Sequence, residues 1–259
     1  MRLAYSSSGA HIRESNRRRN HNINTSSDLQ LRTTLLVGAS RGLGLAMANE
    51  LVKKGWHVVG TVQGNGRTEL HDLADAHPNQ ITIEPLDVTE PDQIAKLHDR
   101  LSGRALDMLF VNAGTANRNA TETIAQVPTD EFVRVMLTNA LGVMRAVEGF
   151  ANLVSATGLI GVMSSGQGSI ANNTEGGFEV YRGSKAALNQ YMRSYAARRA
   201  DDPRAMVLMA PGWIRTELGG PNAPFSVEET IPQVVDTLLA QQGIAGLRFI
   251  DRHGETVQW

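Results

Sequence analysis

Residues 33–44 read TTLLVGASRGLG, a short apolar run followed by three closely spaced glycines. The run is typical of a buried strand, and the spacing of apolar residues from Leu43 to Lys54 is typical of a helix. Glycine allows positive φ and close backbone approach, so the segment predicts a tight turn between strand and helix. Free N–H groups and the positive dipole end of such a helix suit a phosphate, although a plain glycine-rich turn is the alternative. The residues predicted to surround that phosphate are Gly38, Ser40, Arg41, Gly42, Leu43 and Gly44.

Apolar runs alternate with helical patterns along the rest of the chain. Continuous apolar strands alternating with helices predict a parallel sheet that is covered on both faces. We expect an α/β fold, a single doubly wound Rossmann-type domain with about seven strands flanked by helices. Predicted strands cover residues 33–37, 56–62, 81–86, 108–111, 159–163, 205–209 and 247–250. Predicted helices cover residues 43–54, 67–76, 129–153, 180–199 and 227–241, with another starting at Thr89. The loop from Gly212 to Pro232 follows a strand end, where ligands bind in such sheets.

The first 33 residues differ in composition from the remainder. They carry six arginines against two acidic residues, a net +4, whereas the whole chain carries −1. Few apolar residues are present there to offset the entropy of ordering, which predicts a flexible basic extension over residues 1–32 and a folded domain over 33–259. A plain tail, a transit peptide and nucleic-acid contact through Arg17–Arg19 all stay open.

Composition excludes several classes of protein. Cysteine is absent, so there is no disulfide framework, thiolate metal site or thiol nucleophile. No Asp, Glu and His cluster has metal-ligand spacing, and we expect no catalytic metal. No apolar run approaches the ~18 residues of a membrane helix, so we expect no membrane partner. The net charge gives no general attraction to nucleic acid, and the lack of cysteine fits a reducing, cytoplasmic setting.

A tyrosine and a lysine stand four residues apart at Tyr181 and Lys185, with Ser165 sixteen residues before the tyrosine. On a helix these two side chains share a face about one turn apart. A nearby cation favours phenolate and typically shifts a pKa by ~1–3 units, so Lys185 is predicted to lower the pKa of Tyr181. The pair indicates proton exchange with an oxygen bonded to carbon, unless it is only a surface tyrosine near a lysine.

Further motifs follow in a recognisable order. From Thr33 onward, the chain resembles the short-chain dehydrogenase/reductase family. Residues 168–173, 181–189, 211–216 and 254–259 resemble C-factor or sniffer-type carbonyl reductases in particular. The motifs that carry the resemblance are the glycine turn, Asn112-Ala113-Gly114, Asn139, Ser165, Tyr181-x3-Lys185 and Pro211-Gly212.

The resemblance implies a catalytic role for four residues. Tyr181 would be the general acid or base, and Lys185 would lower its pKa and hold the nicotinamide ribose. Ser165 would orient the substrate carbonyl, and Asn139 would hold a water in a proton relay through Lys185. Ser164 has the same chemistry, but the spacing to the next glycine favours Ser165. Residues 172–178 lengthen the segment between Ser165 and Tyr181, which leaves the wall of the substrate pocket open.

Cofactor contacts are implied in the same way. Asn112, Ala113 and Gly114 would lie beside the adenosine ribose, and Asp87 with Val88 would contact the adenine. Ile214 and Thr216, after Pro211 and Gly212, would fix the nicotinamide carboxamide. Alternatively, Asp87 caps the next helix and Asn112 satisfies backbone groups.

The second strand indicates which dinucleotide is bound. An NAD site usually has an acidic residue at the end of this strand, but residues 60–67, which include Thr61 and Gln63, contain none. Arginine suits a phosphate, so Arg41 predicts NADP(H) in preference to NAD(H). We therefore expect a carbonyl–alcohol oxidoreductase acting on small molecules. The alternative is a signalling or scaffold protein that binds the dinucleotide with little turnover.

Two further expectations concern partners and the pocket. Trp213, Ile214 and Phe225 indicate an apolar pocket, although core packing would explain them as well. The helices predicted at 129–153 and 180–199 form subunit contacts in the resembled family, which implies a homodimer or homotetramer.

Overall fold

The computed structural model describes residues 31–259, so the basic cluster and all but the last two residues of the predicted extension lie outside the described range. Strands and helices alternate from Thr33 onward. Strands β1 to β7 are Thr33–Val37, His57–Val62, Ile81–Pro85, Leu106–Val111, Val154–Met163, Ala205–Ala210 and Gly246–Asp251. Helices α1 to α7 are Gly42–Lys53, Glu69–Ala76, Pro91–Leu101, Thr129–Met136, Val143–Phe150, Glu179–Ala197 and Val227–Gln241.

All seven strands form one parallel sheet in the order β3-β2-β1-β4-β5-β6-β7. This confirms the predicted doubly wound fold. Strand side chains alternate between the two faces, and each face is covered by helices. Leu35 and Val37 pack with Phe150 on one face, whereas Leu36 packs with Leu51 and Trp56 on the other.

Two predicted segments differ from the structure. The helix expected over 129–153 is interrupted by a π-helix at Leu137–Gly142, which separates α4 from α5, and it ends in a 3-10 turn. Such π turns often occur at functional sites. The loop expected to reach Pro232 ends earlier, because the Ser226 side chain caps α7 and Pro232 lies inside that helix.

The strand register brings the predicted motifs together at the carboxyl ends of the strands. Val37 pairs with Val111, and Val111 pairs with Val162 on the next strand. Strand order reverses between β1 and β4, because the chain crosses there from one half of the sheet to the other. Ligands of open α/β sheets bind in the crevice at such a reversal, outside the carboxyl ends of the strands.

Candidate active site

The glycine turn after β1 is locked to the end of β4. Asn112 Nδ2 donates to the carbonyl oxygen of Gly38 at 2.8 Å. Gly38 has φ +84°, and a Cβ there would lie 2.9 Å from the Ala113 backbone. A Cβ on Gly44 would lie 2.0 Å from the Gly38 oxygen. These two glycines are therefore required by packing within the protein.

The start of α1 has the properties of a phosphate site. Gly42 has φ +57°, and a Cβ built there would meet nothing within 4 Å. Leu45 N donates to the oxygen of Arg41, so the N–H groups of residues 42–44 precede the helical ladder. Open space beside free N–H groups at a helix start fits the pyrophosphate of a dinucleotide. The predicted residues Ser40 and Leu43 lie within this turn.

The residues predicted to contact adenosine lie together beyond β2 and β3. Gln63 Nε2 donates to Asp87 Oδ2 at 2.6 Å, and the backbone and hydroxyl of Thr89 both donate to Asp87 Oδ1. Burial raises the pKa of Asp87, but these hydrogen bonds outweigh it and leave the pKa below its usual value. Val88, the next residue in the sequence, is buried. Thr61, at the end of β2, accepts a hydrogen bond at its Oγ1 from Gly38 N at 2.9 Å.

Arg41 forms an ion pair that the sequence did not predict. Its guanidinium contacts the carboxylate of Glu217, and both side chains are largely exposed. Glu217 belongs to the loop after β6, so this pair joins that loop to the glycine turn. The two residues are 176 positions apart, and no local pattern could have revealed the contact.

The two candidate serines face different neighbours. Ser164 is 2% exposed, and its hydroxyl donates to Asn189 Oδ1 at 2.6 Å. Ser165 accepts a hydrogen bond from Gln167 N at 3.1 Å, and its hydroxyl is near enough to Tyr181 to lower the pKa of the phenol. The structure thus brings Ser165, rather than Ser164, to the tyrosine.

The pKa of Tyr181 moves in the opposite direction to the sequence-based prediction. Burial raises it to about 12, against a smaller lowering by the neighbouring Ser165 hydroxyl. Lys185 is 3% exposed, and burial lowers its pKa to about 8. Its Nζ donates to the carbonyl oxygen of Met163 at 2.8 Å and lies 5.8 Å from the centre of the tyrosine ring. Desolvation therefore determines the direction of the Tyr181 shift, and the predicted lowering by Lys185 does not contribute to it.

Asn139 lies fully buried within the π-helix and is committed to protein contacts. Its Oδ1 accepts from Thr115 N at 2.7 Å, while its Nδ2 donates to the Thr115 oxygen at 2.7 Å and to Ser184 Oγ at 2.9 Å. The side chain therefore joins the segment after β4 to α6. A role in holding water stays a prediction.

The loop after β6 supplies the remaining predicted cofactor residues. Gly212, next to Pro211, has φ +99°, and a Cβ there would lie 2.6 Å from Arg252 Nη1. Ile214 is buried and forms a backbone bridge with Phe225. Of the three apolar residues that were predicted to line a pocket here, only Trp213 is exposed. Thr216 Oγ1 accepts from Gly219 N at 3.0 Å.

The lengthened segment before Tyr181 ends in an unusual backbone. Gly176, Gly177 and Phe178 follow one another with φ of 69°, 70° and 50°. Phe178 is the non-glycine residue with positive φ in the described part of the chain, and it is 44% exposed three residues before the tyrosine. The lengthened segment therefore ends in an exposed aromatic residue that immediately precedes α6.

The described residues contain neither a membrane-spanning helix nor a cluster of metal-binding side chains. Within residues 31–259, no helix combines the length and apolar character needed to cross a bilayer. The same residues contain no group of three acidic, histidine or cysteine side chains placed to hold a metal ion.

Comparison with known proteins places this site in a family. A family model described as enoyl-(acyl carrier protein) reductase, of the short-chain alcohol dehydrogenase type, matches residues 38–236. A solved structure from Burkholderia multivorans, described as a short-chain dehydrogenase/reductase with bound NADP, is 62% identical with a TM-score of 0.87. The match covers 88% of this chain and 100% of that one. The chain belongs to the short-chain dehydrogenase/reductase family of oxidoreductases.

Two more distant relatives have named activities. The carbonyl reductase Sniffer of D. melanogaster is 29% identical with a TM-score of 0.79, over 88% of this chain and 100% of that one. The NADPH-dependent pterin aldehyde reductase of Arabidopsis thaliana is 32% identical over 192 residues, 72% of this chain and 76% of the relative. The predicted resemblance to sniffer-type carbonyl reductases is thereby confirmed.

Proposed function

We propose that this protein is an NADPH-dependent carbonyl reductase that interconverts a carbonyl and an alcohol by hydride transfer, with Tyr181 as general acid or base. One observation carries the proposal. Tyr181 lies beside both Ser165, whose hydroxyl lowers the pKa of the phenol, and buried Lys185, at the carboxyl ends of the strands where the glycine turn opens. A signalling or scaffold protein would need no such arrangement of proton donors.

The cofactor is proposed to lie along these strand ends. The N–H groups at the start of α1 would bind the pyrophosphate, and Thr61, Gln63, Asp87 and Val88 would surround the adenosine. Residues 112–114 and Lys185 would hold the riboses, with Pro211, Gly212, Ile214 and Thr216 at the carboxamide. NADP(H), when bound, supplies or accepts the hydride.

The proton is assigned to the Tyr181 hydroxyl. Because its pKa is raised to about 12, the phenol is protonated at neutral pH, which is the form that reduction requires. Ser165 would orient the carbonyl oxygen by donating a hydrogen bond to it from its hydroxyl group. In the oxidative direction the same tyrosine would have to lose its proton first, at a cost set by its raised pKa.

Preference for NADP(H) over NAD(H) is part of the proposal. Residues 60–67 offer no carboxylate to the ribose 2′-hydroxyl, whereas Arg41 lies exposed in the turn that would face the 2′-phosphate. The bound NADP of the Burkholderia relative and the NADPH dependence of the Arabidopsis relative support this choice.

Turnover is tested by following NADPH absorbance with a panel of aldehydes, ketones and quinones. Tyr181→Phe should lower kcat by roughly 10²–10⁴-fold and leave NADPH affinity nearly unchanged. Tyr191→Phe, an exposed tyrosine of the same helix, is the matched control and should retain full turnover. A wild-type protein inactive on the whole panel with both NADPH and NADH, or an active Tyr181→Phe variant, would refute the proposal.

Two further parts concern the extension and assembly. Residues 33–259 are proposed to be the catalytic unit, so removing residues 1–32 should leave kcat unchanged. Self-association is proposed through residues 129–153 and α6; in the former, Phe132 and Val133 of α4 and Leu141 of the π-helix are exposed. Sedimentation of the wild type and a Val133→Glu variant would show whether this face joins two copies.

A further inference from the structure

An ion pair on α4, with a buried carboxylate and a partly exposed guanidinium, lies one contact away from the proposed catalytic residues. Glu131 is 5% exposed, and its two carboxylate oxygens accept from Arg134 Nη2 at 2.8 Å and Nε at 2.9 Å. The hydrogen bonds from Arg134 outweigh desolvation and hold the pKa of Glu131 at about 2. The pair is therefore charged throughout the neutral range and fixes the plane of the guanidinium.

Besides their ion pair, both residues form hydrogen bonds with the segment after β4. Arg134 Nη1 donates to Thr115 Oγ1 at 2.9 Å, and Nη2 donates to the Ala116 oxygen at 2.8 Å. Glu131 Oε1 accepts from Arg118 N at 2.6 Å. The ion pair thus holds three successive points of residues 115–118 from one side.

The other side of the same segment contacts the proposed site directly. Thr115 N and O are both hydrogen-bonded to the Asn139 side chain at 2.7 Å. A Cβ on Gly114 would lie 3.4 Å from Lys185 Nζ and 3.5 Å from Asn139 Oδ1, so the backbone at Gly114 lies against both. A displacement of residues 114–116 would therefore move the surroundings of both side chains.

We propose that Arg134, anchored by Glu131, is a positioning residue of the active site, which holds residues 114–118 so that Thr115 fixes Asn139 and Gly114 confines Lys185. This inference rests on the proposed reductase function. Arg134 itself touches none of the four residues assigned to catalysis among the contacts described. Its effect should therefore appear mainly in kcat, with a smaller rise in the KM for NADPH, because Gly114 and Lys185 are also assigned to the riboses.

Arg134→Met should lower kcat per folded molecule by roughly 10–100-fold, because small misplacements of reacting groups cost about that much. The KM for NADPH should rise less than kcat falls, since the proposed pyrophosphate and adenine contacts lie on other segments and are untouched. Arg134→Lys should restore kcat only in part, because one ammonium cannot reproduce the fork that contacts Thr115 and Ala116 together.

Arg204→Met is the matched control. Arg204 forms an ion pair with Asp202, with side chains 12% and 8% exposed against 35% and 6% for Arg134 and Glu131, and it also contacts the Ala151 oxygen. Arg204 immediately precedes β6 and so lies at the amino ends of the strands, whereas Tyr181 lies beyond their carboxyl ends. Losing Arg204 should lower stability and leave kcat per folded molecule unchanged. Equal kcat losses in the two variants would overturn the inference, since Arg134 would then be merely structural.

Amide hydrogen exchange provides a readout independent of turnover. Peptides covering residues 113–119 should exchange faster in Arg134→Met and at the wild-type rate in Arg204→Met. If Arg134→Met does not fold, Thr115→Val carries the same test, because it removes the Oγ1 acceptor and keeps the backbone contacts. Unchanged exchange in the folded variant would overturn the inference, whereas an inactive wild type would refute the reductase function alone.

Discussion

Lys185 and Tyr181 are neighbours whose pKa values are moved in opposite directions by the same burial. The Lys185 nitrogen lies 5.8 Å from the centre of the Tyr181 ring. Burial lowers the pKa of the lysine from 10.5 to about 8 and raises that of the tyrosine from 10.0 to about 12. Desolvation disfavours the charged form of each group, so both side chains are held closer to neutrality than in water.

The Lys185 shift predicts a pH dependence of stability. Between pH 8 and 10.5 the unfolded chain binds more protons at this residue than the folded chain, so its contribution to stability rises with pH. The free energy of unfolding of the wild type, measured relative to Lys185→Met, should increase by up to about 3 kcal/mol across that window. Urea unfolding at several pH values measures this difference.

The control for that experiment is Lys96→Met, which changes an exposed lysine of α3. Its unfolding free energy should run parallel to that of the wild type across the same pH range. A Lys185→Met difference that stays constant from pH 8 to 10.5 would show that burial does not perturb Lys185.

The spacing of these two residues was readable from the sequence, but the direction of the tyrosine shift was not. A four-residue separation on a helix predicts that two side chains are near each other. It does not reveal that the lysine is 3% exposed, because that burial is created by β5, which accepts its hydrogen bond, and by the backbone at Gly114 after β4. Desolvation depends on such distant segments, and it determines the direction of the tyrosine shift.

Gly44 is predicted to tolerate no side chain. A Cβ there would lie 2.0 Å from the Gly38 oxygen and 2.7 Å from Asn112 Nδ2, so the turn or the helix must shift. Gly44→Ala should destabilise the fold by about 1–3 kcal/mol and weaken NADPH binding at least tenfold. Thermal unfolding and fluorescence titration with NADPH measure the two effects.

Gly66→Ala is the matched substitution, since a Cβ at that glycine meets nothing within 4 Å. It should leave melting temperature and NADPH affinity close to wild type. If Gly44→Ala behaves in the same way, α1 can move without cost and the turn is not locked as described.

Arg41 is predicted to discriminate between the two dinucleotides. A charge-assisted hydrogen bond to phosphate contributes about 1.5–3 kcal/mol, so Arg41→Glu should weaken NADPH by roughly 10–100-fold or more. NADH lacks the 2′-phosphate and should be affected far less. Titration of both cofactors checks this, with Arg100→Glu on α3 as a charge-matched control. Equal losses for both cofactors would contradict the assignment.

Short-range patterns predicted most of the fold, because each strand–turn–helix unit carries its own apolar period and glycine signal. The seven strands and the motifs at their carboxyl ends follow from such local features. The i,i+3 spacing of Glu131 and Arg134 is compatible with an ion pair on a helix, but no local pattern shows that the pair would hydrogen-bond to residues 115–118. The contact of Arg41 with Glu217 was equally hidden, since it depends on how a distant loop folds back.

That contact makes Glu217 a competitor for the proposed 2′-phosphate. Its carboxylate forms an ion pair with the guanidinium of Arg41 and adds negative charge where a phosphate would bind. Glu217→Gln should therefore tighten NADPH by roughly two- to fivefold, the range that an exposed ion pair of 0–1 kcal/mol permits. NADH affinity should stay unchanged, and Glu228→Gln at the exposed start of α7 should alter neither. Weaker NADPH binding in Glu217→Gln would instead mean that the carboxylate orients Arg41 toward the phosphate, because a competitor cannot improve binding by being present.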